Sequence, residues 1–165
     1  DTGAVWCEAK LAITSEMNAG DLFAELKILG SQLLIDVLPN ILEGTAEATP
    51  QPDVGITYAE KLTKEEARIN WSETAELIDR KVRAFNPVPC AHTTWNDQLF
   101  KVWETRLTDR PSSHAPGTLV VDNGALFVNT VSEQLEIVTM QVAGKKAMLA
   151  KDFLKGTSLH LEELK

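Results

Sequence analysis

The chain holds few groups fit for covalent chemistry and more that could hold an anion. Its three histidines, His92, His114 and His160, lie far apart, and none sits beside a matching cysteine or carboxylate pattern. An imidazole without such a partner has nothing to tune it for proton transfer or metal binding, so a surface role is expected for each. Cys7 and Cys90 are isolated, which removes both a CxxC metal signature and a disulfide framework; each reads as a small buried hydrophobe. There is no Gly-rich phosphate loop, no GxSxG and no HExxH. A catalytic constellation wholly inside the chain therefore has no support. The most suggestive pair is Lys145 and Lys146, beside Gly144 at an expected loop-to-helix turn. Exposed ammonium groups there would meet phosphate, and a plain solvated turn is the alternative.

These groups must be positioned by elements of two kinds. Val5 to Ile13 alternates apolar and polar residues, which predicts a strand with one buried face. From about Ala19 to Glu43, Leu22, Leu26, Leu29, Leu33, Val37 and Ile41 recur at helical spacing and predict a long amphipathic helix ended by Gly44. Pro39 predicts a kink or break near Val37. Residues 44 to 57 are rich in Gly, Pro and Thr and read as a linker. Thr63 with Glu66 predicts a capping box for a short helix over Lys64 to Ile69. Ser72 is the expected cap of a second helix running to Phe85, stopped by Asn86-Pro87-Val88-Pro89.

Beyond Cys90 the pattern becomes that of short strands, at Leu99–Leu107, Thr118–Val121, Ala125–Thr130 and Gln134–Gln141. Turn residues separate them, Asp122-Asn123-Gly124 being a strong hairpin signal. A small antiparallel barrel of the OB kind is expected, followed by a short helix over Lys146 to Leu154. Trp6, Trp71, Trp95 and Trp103 read as anchors of the core rather than stacking platforms.

Sixteen Lys and Arg against 24 Asp and Glu give 165 residues a net charge of −8, which argues against a general nucleic-acid binder. The charge is uneven, however. Residues 1–45 sum to −5 and residues 46–80 to −4, whereas residues 81–165, with ten bases and nine acids, sum to +1. The second half is thus free to present a local basic face. The chain opens on Asp1, without a signal-peptide pattern, and runs almost at once into apolar alternation; a piece of a longer protein is expected.

Three segments carry a resemblance. Tyr58-Ala59-Glu60-Lys61-Leu62-Thr63-Lys64-Glu65-Glu66-Ala67-Arg68-Ile69-Asn70-Trp71-Ser72, Arg83-Ala84-Phe85-Asn86-Pro87-Val88-Pro89 and Ala143-Gly144-Lys145-Lys146-Ala147-Met148 resemble methionyl-tRNA formyltransferases, in that family's order and spacing. The opening Asp1-Thr2-Gly3 resembles the end of the family's catalytic motif. Ala4 stands where the family commonly has an acid, and Val88 where it has an aromatic between two prolines.

The resemblance implies an α+β chain: a strand-helix remnant of a Rossmann-like catalytic domain (1–45), a linker with a short helix (46–72), and an OB-like tRNA-contacting domain (73–165). It implies an enzyme that moves a formyl group from 10-formyltetrahydrofolate to the α-amino group of methionyl initiator tRNA. The catalytic aspartate would be Asp1, with the family's Asn and His upstream, so the chain alone is expected to be inactive. Lys81, Arg83, Lys101, Lys145 and Lys146 are the expected tRNA contacts, positioning phosphates without reading bases. No metal, a monomer and a cytoplasmic location are expected. A sugar-nucleotide N-formyltransferase and a non-enzymatic RNA-binding module are the rivals.

Overall fold

A computed structural model describes residues 2–157 and 162–165. They divide into two units, Asp1–Lys61 and Leu62–Lys165.

The first unit is built around helix α1, Ala19–Leu42. Asn18 caps it: its side chain accepts from the Asp21 N–H at 3.0 Å, and the Asp21 carboxylate accepts from the Asn18 N–H at 3.1 Å. Each bond satisfies a donor that the first turn would otherwise leave unpaired. The helix runs through Pro39 without the expected break. The proline sits in the closing turn and lacks the N–H that would bond the Ile35 carbonyl, one bond lost in a helix of 24 residues. The expected apolar stripe is only half-buried, and Leu26 on it is exposed. Other sides of α1 expose Phe23, Ile28, Ile35 and Leu42. The strand expected over Val5–Ile13 does not form. Val5 makes a single antiparallel bridge to Thr49, because no neighbouring strand is offered to the residues after it.

In the second unit, α2 (Ala75–Phe85) begins at Thr74 rather than Ser72, the Thr74 hydroxyl accepting from the Leu77 N–H at 3.3 Å. Its buried side, Ile78, Val82 and Phe85, joins the core. The strands are β1 (His92–Trp95), β2 (Gln98–Arg106), β3 (Leu119–Asp122), β4 (Ala125–Asn129), β5 (Gln134–Val142) and β6 (Met148–Leu149). They pair in the order β1-β2-β5-β4-β3, with β6 on β5, and every pairing is antiparallel. Asn96-Asp97 and Asn123-Gly124 link their hairpins with positive φ at both residues, the geometry that matches strand twist. The expected helix over Lys146–Leu154 is shortened to α3 (Ala150–Leu154), because Met148 and Leu149 pair with β5 instead.

The sheet is closed by a segment outside its named strands. The Thr94 N–H donates to the Lys165 carbonyl at 2.8 Å and the Lys165 N–H returns the bond at 2.8 Å. On the other side Leu119 N–H donates to the Glu162 carbonyl at 2.7 Å and Leu164 N–H to the Gly117 carbonyl at 2.9 Å. Residues 162–165 thus stitch β1 to β3 and complete the curled antiparallel architecture expected of a small OB-like barrel. Phe100, Val102, Leu126, Val128, Leu135, Ile137 and Met140 fill its interior.

The short helix expected over Lys64–Ile69 is a turn followed by extended chain. Its capping contacts exist, since Glu66 accepts from the Thr63 N–H at 2.7 Å and its hydroxyl at 2.8 Å. Those two bonds hold the Glu66 carboxyl below its ordinary range. Helix does not propagate because Ala67, Ile69 and Trp71 alternate into the core, which needs a period of two. Trp71 and Trp95 serve the core as expected, whereas Trp6 is exposed and Trp103 lies half-buried outside it.

Candidate nucleic-acid interface

The outer face of the sheet is set by the pleat. Phe100 and Val102 point inward, so Lys101 between them points outward. Its cross-strand partner is Gln141, whose neighbour Met140 is buried, so Gln141 shares that outer face. Gln141 is the hub of the site. Its Oε1 accepts from Trp103 Nε1–H at 3.1 Å, and its Nε2 donates to the Lys145 carbonyl at 2.7 Å. The turn carrying Lys145 and Lys146 is held further by Lys145 N–H to Val142 O at 3.0 Å and Ala143 N–H to Leu99 O at 3.0 Å. Trp103 shares the parity of Lys101 and so lies in this layer, just before a register shift between Val102 and Glu104.

The expected basic residues fall into two groups. Lys101 faces Gln141 across the sheet, and the turn of Lys145 and Lys146 is tied to Gln141 through the Lys145 carbonyl; none of the three lysines forms an ion pair among the described residues. Lys145 and Lys146 are fully at the surface and Lys101 half-buried. Lys81 and Arg83 sit on α2 with internal partners. Lys81 Nζ lies 3.6 Å from Glu73 and donates to the Arg68 carbonyl at 3.3 Å. Arg83 Nε donates to Asp79 at 3.0 Å, and the same carboxylate accepts from the Thr105 hydroxyl at 2.8 Å. Asp1 and His160 lie outside the described residues.

His92 is half-buried with Nδ1 3.4 Å from the Cys90 carbonyl, and exposed His114 lies 2.9 Å from the Ser113 hydroxyl. Among the described residues no group of three metal-ligating side chains could hold an ion. Burial pushes the Cys90 thiol up to about 11, against a smaller opposing pull from the Lys101 charge. Such a thiol is a poor nucleophile. We expect a thiol titration at pH 8 to find Cys90 silent until the chain is unfolded; a Cys90 that reacts in the native chain would contradict its burial. Because the unfolded thiol ionises near 9.0 and the native one near 11, stability should fall as pH rises through that window.

Gln141 and Trp103 are not legible as site residues from sequence. A glutamine in a strand carries no signal, and a tryptophan in an apolar alternation reads as core. The only clue is spacing, since Lys101 and Trp103 share one parity in β2.

Comparison with known proteins places the chain among formyltransferase domains. The family model described as the formyl transferase C-terminal domain matches residues 61–158. A methionyl-tRNA formyltransferase of Lactobacillus acidophilus is 39% identical over 160 residues, covering 94% of this chain and 50% of that protein. The chain thus spans about half the length of this relative. HypX from Aquifex aeolicus, solved with tetrahydrofolic acid, superposes with a TM-score of 0.71 at 17% identity, over 93% of this chain and 27% of that one. An N-formyltransferase from Helicobacter canadensis, solved with folinic acid and dTDP-3-aminofucose, gives a TM-score of 0.60 at 17% identity, over 82% of this chain and 50% of that one. At such identity the two structures speak for the fold.

Proposed function

Because the chain belongs to the formyl transferase C-terminal domain family, we propose that it is the C-terminal portion of a methionyl-tRNA formyltransferase and that its barrel holds the tRNA. The observation that carries this reading is the 39% identity to such an enzyme along nearly the whole chain, against 17% to the sugar-directed neighbour. The parent would transfer a formyl group from 10-formyltetrahydrofolate to the α-amino group of methionyl initiator tRNA, acting as a cytoplasmic monomer. Among the described residues no helix is long and apolar enough to cross a membrane.

In this division of labour residues 1–45 belong to the catalytic domain, with Asp1 as its aspartate, and residues 46–72 lead into the tRNA-contacting domain. The exposed Phe23, Ile28, Ile35 and Leu42 of α1 support that assignment, since a helix apolar on several sides is one that a larger layer covers. The barrel contributes charge rather than chemistry. Lys101, Lys145 and Lys146 carry ammonium groups that no carboxylate neutralises among the described residues, on a frame fixed by Gln141, which suits contact with phosphate oxygens. Lys81 and Arg83 would contribute to the local potential from behind their partners.

The test is a salt titration of tRNA binding by the 165-residue chain. Replacing Lys145 and Lys146 together by alanine should weaken binding and lower the slope of log K against log salt by about 0.7 to 0.9 for each phosphate left without its cation. Unchanged affinity and slope would rule the turn out. A sugar-nucleotide parent would show itself by formylating an amino sugar and leaving methionyl-tRNA untouched.

A further inference from the structure

A further basic residue lies in line with this site. Segment 67–69 runs parallel to β1, with Ile69 N–H donating to the His92 carbonyl at 2.8 Å and His92 N–H to the Ala67 carbonyl at 2.9 Å. That bridge sets Arg68 beside His92, His92 faces Lys101 across β1 and β2, and Lys101 faces Gln141 across β2 and β5. Neighbours of all four along the chain are buried: Ala67 and Ile69, Ala91 and Thr93, Phe100 and Val102, and Met140. All four side chains therefore leave the sheet on its outer face, in one row perpendicular to the strands. With strands about 4.8 Å apart, the row is roughly 15 Å long. At one end Gln141 binds the turn of Lys145 and Lys146, and at the other stands Arg68, exposed and without an ion pair among the described residues. The Arg68 carbonyl accepts from Lys81, whose own charge is matched to Glu73.

We propose that Arg68 is a phosphate-binding residue and that the nucleic-acid backbone crosses the sheet along the row from Arg68 through Lys101 to Lys145. The inference rests on the tRNA reading above and adds to it a residue and a direction. Backbone phosphates recur every few ångströms along a strand, so a track this long meets several of them, and an Arg at its far end reaches a phosphate that point charges at the turn cannot. Such a contact reads no base, so initiator and elongator tRNAs should feel it alike.

The experiment measures binding of the full 165-residue chain to initiator tRNA and to an elongator tRNA over about 50 to 200 mM salt. Arg68→Ala should weaken both several-fold at low salt and lower the slope by about 0.7 to 0.9, so that the loss of affinity over that salt range shrinks roughly threefold. Arg68→Lys should restore the slope, since a charge suffices, and circular dichroism should be unchanged in both variants. The double alanine variant of Lys145 and Lys146 serves as the reference. If it weakens binding while Arg68→Ala does nothing, or if Arg68→Lys fails to restore the slope, the row is wrong and the turn stands. If neither variant changes binding, the tRNA surface and its extension to Arg68 fall together.

Discussion

Leu164→Ala should lower the stability of the second unit by about 2 to 4 kcal/mol, and deletion of residues 162–165 should cost more. Leu164 is 4% exposed, packed in the main core although it lies beyond the last helix. The truncation removes more than a side chain. It strips the Thr94–Lys165 pair of backbone bonds, the Leu164–Gly117 and Leu119–Glu162 bonds, and the acceptor that Glu162 offers to Trp95 Nε1–H. The Thr93 hydroxyl, which donates to the Lys165 carbonyl at 2.7 Å, loses that acceptor as well. Two sheet edges then lie open, each a row of unpaired donors and acceptors. For a unit of this size the Leu164→Ala cost corresponds to a fall in melting temperature of roughly 10 to 20 °C. Thermal unfolding followed by far-ultraviolet dichroism reads it directly, and a fall of only about 2 °C would mean the tail does not close the barrel.

Gly117→Ala should be the most damaging glycine substitution in the unit, at about 2 to 4 kcal/mol. Gly117 has φ +89, and an added Cβ would stand 2.7 Å from the Leu164 carbonyl oxygen and 3.4 Å from Trp71 Cδ1. That oxygen is backbone of the closing segment, so relief requires moving the segment itself. Gly124 is the control. Its φ is +77, yet a Cβ there meets nothing within 4 Å, so Gly124→Ala should cost only the left-handed strain of about 1 kcal/mol. Urea unfolding of the two variants separates conformational strain from steric exclusion. Equal costs would show that the Leu164 carbonyl yields freely.

The parts of this fold that are legible in sequence are those whose information is local. The hairpin at Asn123-Gly124 needs two residues tolerant of positive φ, and the strands beside it alternate plainly. Helix α1 announces itself through its apolar spacing and the Gly44 that ends it, whereas its Asn18 cap emerges only from the structure. What cannot be read locally is decided by pairing partners. Val5 to Ile13 alternates like a strand but is offered one bridge, whereas Ala67 to Trp71, with helix-like charges around it, is drawn into extended form by β1 and the core. Met148 and Leu149 follow β5 in the same way. The site divides along the same line. Lys145 and Lys146 are visible as a charged turn, but Gln141 gains its role from bonds to Trp103 and Lys145, and Arg68 from a bridge to His92. For Arg68 the readable signal is the alternation Ala67, Ile69, Trp71 rather than the capping box that precedes it.

The closing segment also fixes an order of events during synthesis. Every named strand is made before residues 162–165, and the hairpins among them pair neighbours in sequence. The Thr94–Lys165 pair, by contrast, joins residues far apart in the unit. Such contacts bear the largest loop-closure entropy and come late. A ribosome that has yet to release residues 162–165 therefore holds a curled sheet with an open seam. Over that interval β1 and β3 are free to pair with other chains, and a nascent barrel of this kind is most in need of shielding just before it is finished.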